Sequence, residues 1–311
     1  TRAAAFTPGR PALPWFYAAV PDEVSRPLAA AVRADRARRP DAYGRVADLE
    51  GLRPEFYRRT RAGRPSVALE LRGMGPEALL PMLDALALSG YPRALSAEEG
   101  AALRLGLLEA VGNLGDARSL PVLRGVFATA AEAPELRAAA RGLARVCQDA
   151  DRRALMGATG VRRDPAAAAL GLCAHPEAAQ WLVAQLEATA DPAHAAALAA
   201  GLAESASSWA RPGARSAVDV PLRVRAARAL LRRWRELPAQ RDALGVAALS
   251  MGGAEVLAAV REAAADDALA ERELRRALQQ SVDALDPTSA EAIAVLLGEG
   301  APPPIAPAPH R

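Results

Sequence analysis

Between Arg104 and Phe127 the chain reads RLGLLEAVGNLGDARSLPVLRGVF, two apolar stripes separated by a short polar break. Leu103, Leu107, Ala110, Val111 and Leu114 recur at helical spacing, and so do Leu120, Leu123 and Phe127. The spacing predicts two short helices meeting at Gly112-Asn113-Leu114-Gly115-Asp116. A single hairpin of this length cannot bury both stripes, so it needs similar hairpins beside it.

The sequence supplies them. Ten residues separate Arg104 from the turn residue Leu114. The same offset links Arg64 to Met74, Arg137 to Cys147, Arg163 to Cys173, Arg241 to Met251 and Arg275 to Leu285. A further copy starts at His194 and turns near Glu204. Successive turns are about 35 residues apart, the period of helical repeat arrays.

The segments Arg104, Ala110, Leu114-Gly115-Asp116 and Leu120-Pro121-Val122-Leu123 resemble the HEAT-repeat family, in particular the short bacterial type found in phycobilin (PBS) lyases. The resemblance covers residues 64–297. It implies an all-α chain: a right-handed α-solenoid of about six to seven helical hairpins. It also implies that most such proteins bind other proteins and that few are enzymes.

The expected organisation has three parts. Residues 1–63 form an N-terminal helical and aromatic cap, with helices near 22–38, 41–50 and 53–61. Terminal repeats need such a cover for their apolar face. Residues 64–299 form the repeat array, interrupted by an inserted loop at 205–221, SASSWARPGARSAVDVP. Residues 300–311 are a Pro-rich tail that cannot extend a helix array.

Composition changes this picture little. Apolar residues make up 51 % of 311 positions and aromatics only 4 %. Isoleucine occurs only at Ile293 and Ile305, and no β-branched run suggests a strand. All 39 basic side chains are arginine, which we attribute to GC-rich coding. A net charge of +3 argues against wholesale nucleic-acid binding. No long uncharged apolar run predicts a membrane span, and no signal peptide is visible, which leaves a cytoplasmic or periplasmic location open.

Candidate chemistry is sparse. The repeated arginines Arg64, Arg104, Arg137, Arg163 and Arg241 are expected to form a structural ladder, bridging acids of the next repeat or carbonyls of the turns. Cys147 and Cys173 occupy the same turn position in neighbouring copies. They are expected as buried thiols, with a disulfide as the alternative. His175-Pro176-Glu177 lacks the further ligands a metal needs, so no metal or cofactor is expected. No phosphate loop, nucleophile elbow or CxxC motif occurs.

Partner contacts are expected elsewhere. Trp209 and Arg211 stand in the inserted loop, and Trp15 and Tyr17 in the aromatic start. The segment PLRVRAARALLRRWREL places Arg225, Arg228, Arg232 and Arg235 on one helical face, while Val224, Ala227, Leu231 and Trp234 form its apolar stripe. These features point to a non-catalytic interaction scaffold for a protein partner. The alternative is an enzyme on the same framework, either a DNA-repair glycosylase-like binder of nucleic acid or a bilin lyase-like protein.

Overall fold

A computed structural model describes residues 13, 16, 20–50, 52, 66–206, 218–251, 258–259 and 262. Every regular element among the described residues is helical, so the all-α expectation holds. No helix among them is long and apolar enough to cross a membrane. The chain divides into two compact units, Thr1–Ala166 and Ala167–Arg311.

The first unit opens with α1 (Asp22–Arg38) and α2 (Pro40–Ala47), close to the predicted bounds. Pro40 begins α2, where a missing N–H costs nothing. The third predicted helix, 53–61, lies outside the described residues. Then come α3 (Ser66–Gly73), α4 (Leu79–Leu83), a π-turn (Asp84–Leu88) and α5 (Ala97–Leu114). Leu13, Phe16 and Val20 are buried, and the Leu13 amide donates to the Leu86 carbonyl at 3.1 Å.

The two helices expected between Arg104 and Phe127 are present. Ser96 and Glu99 close a reciprocal capping box at the start of α5, satisfying two amides that have no partner inside the helix. Gly115 ends the helix at φ 63°, a left-handed conformation that costs glycine nothing. Asp116 then caps a short 3-10 turn, and α6 (Leu120–Thr129) follows. Leu103, Leu107, Ala110, Val111, Leu120, Leu123 and Phe127 are all buried. Arg104 does not begin its helix, because α5 starts at Ala97.

Next in the chain are α7 (Ala133–Val146), α8 (Asp149–Met156) and α9 (Arg163–Leu170). Helix α5 packs against both α3 and α7, and α6 packs against α7. Glycines set these approaches. A Cβ on Gly106 of α5 would lie 2.7 Å from Val67 Cγ1 of α3. A Cβ on Gly142 of α7 would lie 2.9 Å from Gly112 Cα of α5.

The second unit holds a 3-10 turn (Gly171–Cys173), α10 (Pro176–Ala188), α11 (Pro192–Ala206), α12 (Val220–Glu236) and α13 (Arg241–Ser250). Helix α11 packs against α10, α13 and the 3-10 turn, and α12 packs against α10 and α13. Here too a glycine pair marks the closest approach: a Cβ on Gly171 would overlap the Gly201 carbonyl.

Neither Cys147 nor Cys173 is a free thiol, against the expectation of simple burial. Both stand at helix ends: Cys147 caps α7 at φ 51°, and Cys173 closes the 3-10 turn. The apolar character that suggested simple burial does not distinguish a packed thiol from a bridged one.

Candidate functional site

Two regions concentrate chemistry, one anticipated from the sequence and one not. The anticipated region is α12. Asp219 caps its N-terminus by accepting from the Leu222 amide at 2.9 Å, and Pro221 follows in the first turn. Ala227, Leu231 and Trp234 are buried, while Val224 is half-buried.

The helix carries arginines of two kinds. Arg223 and Arg233 serve the backbone. Arg233 donates to the carbonyls of Leu186 at 3.0 Å and Glu187 at 2.7 Å, the unpaired C-terminal end of α10. Arg223 donates to the Val218 and Met251 carbonyls. Arg225, Arg228, Arg232 and Arg235 are exposed on a common face. Arg225 grips Glu187 with two parallel hydrogen bonds, 2.9 and 2.5 Å. This pairing holds the Glu187 carboxyl below its usual range, and Arg232 adds to the effect through space. Glu236 is engaged by Arg233.

Three of the repeat arginines have different partners among the described residues. Arg104 bridges Glu135 of α7, joining two neighbouring helices. Arg137 is exposed on α7. Arg163 pairs with adjacent Asp164 at 3.0 Å. Arg241 donates to the Trp234 carbonyl at 3.2 Å and stacks 4.7 Å from the Trp234 ring centre. Arg64, Trp15, Tyr17, Trp209 and Arg211 lie outside the described residues.

The region that sequence reasoning missed is a cleft of about 430 Å³ in the first unit. Helices α1 and α2 and the π-turn enclose it, with Arg36, Tyr43, Val46, Pro81, Asp84 and Tyr91 among its lining. Asp84 is 3 % exposed. Its Oδ2 accepts from Arg36, whose guanidinium lies 4.8 Å from the Tyr43 ring centre. Its Oδ1 is buried, and Ser89 hydrogen-bonds the carboxyl. Burial pushes the Asp84 carboxyl above its ordinary value, against the opposing pull of Ser89 and Arg36.

The π-turn places this aspartate. Both the Ser89 and Gly90 amides fold back onto the Asp84 carbonyl, at 3.0 and 3.2 Å. Such turns are rare and often accompany functional positions. The walls are braced by hydrogen bonds. Tyr91 donates to the Ala47 carbonyl at 2.7 Å, and Arg93 reaches both groups. Tyr43 lies within hydrogen-bond reach of the Val32 carbonyl and Asp35. Burial raises the pKa of each phenol, so neither ionises near neutral pH. The signal available in the sequence was a lone acid in the apolar run LLPMLDALAL.

Among the described residues no three histidine, cysteine or carboxylate side chains gather as a metal would require. Comparison of the chain with protein-family models, with curated proteins and with solved structures finds no match.

Proposed function

We propose that the chain is a non-catalytic interaction scaffold, built of HEAT-like hairpins, that binds an acidic protein surface through α12. The observation that carries this reading is the arginine face itself. Four exposed guanidinium groups share one side of a helix, and Glu187 grips one of them. Like charges at this spacing repel unless an anion answers them. Guanidinium groups suit carboxylates because they bind them in a fixed two-pronged geometry.

The hairpin reading is supported by packing within each unit. Helix α5 lies between its counterparts α3 and α7 in contact order, and α11 lies against α13. Neighbour-on-neighbour packing is what repeats without private cores require.

Fluorescence anisotropy with a labelled Glu-rich peptide tests the proposal, with duplex DNA as the comparison. The peptide should bind, more weakly as salt rises, and the double variant Arg228→Glu/Arg232→Glu should lose binding while melting unchanged. Unaltered binding by that variant, or tighter binding of DNA than of peptide, would overturn it.

A further inference from the structure

The exposed arginines of α12 lie in two rows. Arg225 and Arg232 are seven residues apart, and so are Arg228 and Arg235. Seven residues rise about 10.5 Å and return to within about 20° of the same side of a helix. The second row starts three residues after the first, about 4.5 Å further along the axis. Ala227, Leu231 and Trp234 on the opposite side are buried, so packing fixes which way the arginine face points. Glu187 takes two of the donors of Arg225. Arg228 and Arg232, four residues apart on adjoining rows, form no ion pair among the described residues.

We propose that the partner lays an α-helix along this face and presents carboxylates at positions i, i+3, i+7 and i+10, which rests on the acidic-partner reading above. The inner two positions face Arg228 and Arg232, and the outer two reach Arg225 and Arg235. Spacing selects a helix. A second helix has the same rise and turn as α12, so one face of it repeats all four separations together. An extended strand returns to one face about every 6.8 Å, and the row spacing falls between its first and second returns. A polyproline-type segment returns about every 9.3 Å in a single row, so it follows one arginine row and misses the other. The pattern reads the same from either end, so parallel and antiparallel partners match equally. Glu187 already displays the contact on a small scale: a carboxylate of helix α10 grips an arginine of helix α12.

The test is fluorescence anisotropy of the full chain, at low salt, with three labelled alanine-rich peptides that each carry four glutamates. In the first the glutamates stand at i, i+3, i+7 and i+10. In the second they are spread around the helix. Both are stapled on the side away from the patterned face, and circular dichroism confirms equal helicity. The third repeats the first sequence unstapled, with a central proline that breaks the helix.

The patterned helix should bind about fivefold or more tightly than either of the others. Arg228→Glu/Arg232→Glu should erase that preference. A patterned peptide with arginine at i+3 and i+7 should then bind this variant better than it binds the wild-type chain. Equal affinity for the patterned and spread helices would overturn the proposal and leave the acidic-partner reading standing. So would tighter binding of the proline-broken peptide. Failure of all three peptides to bind would overturn the acidic-partner reading itself, and this proposal with it.

Discussion

Gly112 and Gly142 face one another across α5 and α7 so closely that an added Cβ on Gly112 would sit 3.0 Å from Gly142 Cα. The added Cβ on Gly142 would also meet Leu123 Cδ1 at 2.7 Å. The leucine terminus can move, but the opposing backbone cannot without separating the helices.

Substituting Gly142→Ala should therefore destabilise the chain by about 1–2 kcal/mol, the overpacking cost less the better helix propensity of alanine. Gly44→Ala is the internal control. It also lies within a helix, but its added Cβ meets nothing. It should stabilise by about 0.5–1 kcal/mol. Urea denaturation of both variants reads the two signs, and a matching sign would refute the close-approach argument.

Asp151 of α8 is 1 % exposed and both its oxygens are held by Arg124 of α6, at 2.6 and 3.0 Å. Removing the arginine leaves a buried carboxylate without its cation. Arg124→Ala should cost about 1–3 kcal/mol, below the figure for a fully buried pair because Arg124 is half-exposed. Pairing it with Asp151→Leu should recover part of the loss in a double-mutant cycle. Additive losses would show that the pair is not coupled.

The unpaired carbonyls at helix ends offer a third check. Arg162 donates to Phe127 and Ala128 at the end of α6, as Arg233 does at the end of α10. Arg233→Ala should cost about 1–2 kcal/mol, since charged hydrogen bonds to backbone are lost and carbonyls are left wanting. Arg233→Lys should recover only part, because an ammonium lacks the fork that reaches two carbonyls together. Thermal melts of the three proteins give the ranking, and full recovery by lysine would contradict the two-carbonyl account.

Acid titration should separate two carboxylates of opposite sign. Glu99 lies below its ordinary 4.5 because Ser96 hydrogen-bonds its charged form. Its contribution is present above 4.5 and is lost as the pH falls through the lower folded value. Asp84 lies above its ordinary 3.8, so its ionised form opposes folding. That opposition is full above the folded value and fades as the pH falls toward 3.8. Asp84→Asn should accordingly be more stable than wild type at neutral pH, with the gap closing in the acid range. Denaturation midpoints followed from neutral pH downward measure it; a constant gap would contradict the assignment.

The sequence by itself determined the features that rest on near neighbours. The stripes of α5 and α6, the Gly115 turn between them and the extents of α1 and α2 were legible because helical periodicity and turn chemistry act within a few residues. The arginine face of α12 was legible for the same reason. Only the tertiary structure decided what those arginines meet. Arg104 finds Glu135 across 31 positions and Arg233 finds Leu186 across 47, and spacing along one helix carries no record of the helix beside it. Asp84 depended on packing most of all. A lone acid in an apolar run reads as a solvated break or as a buried charge, and only the packing of α1 on the π-turn makes it the latter.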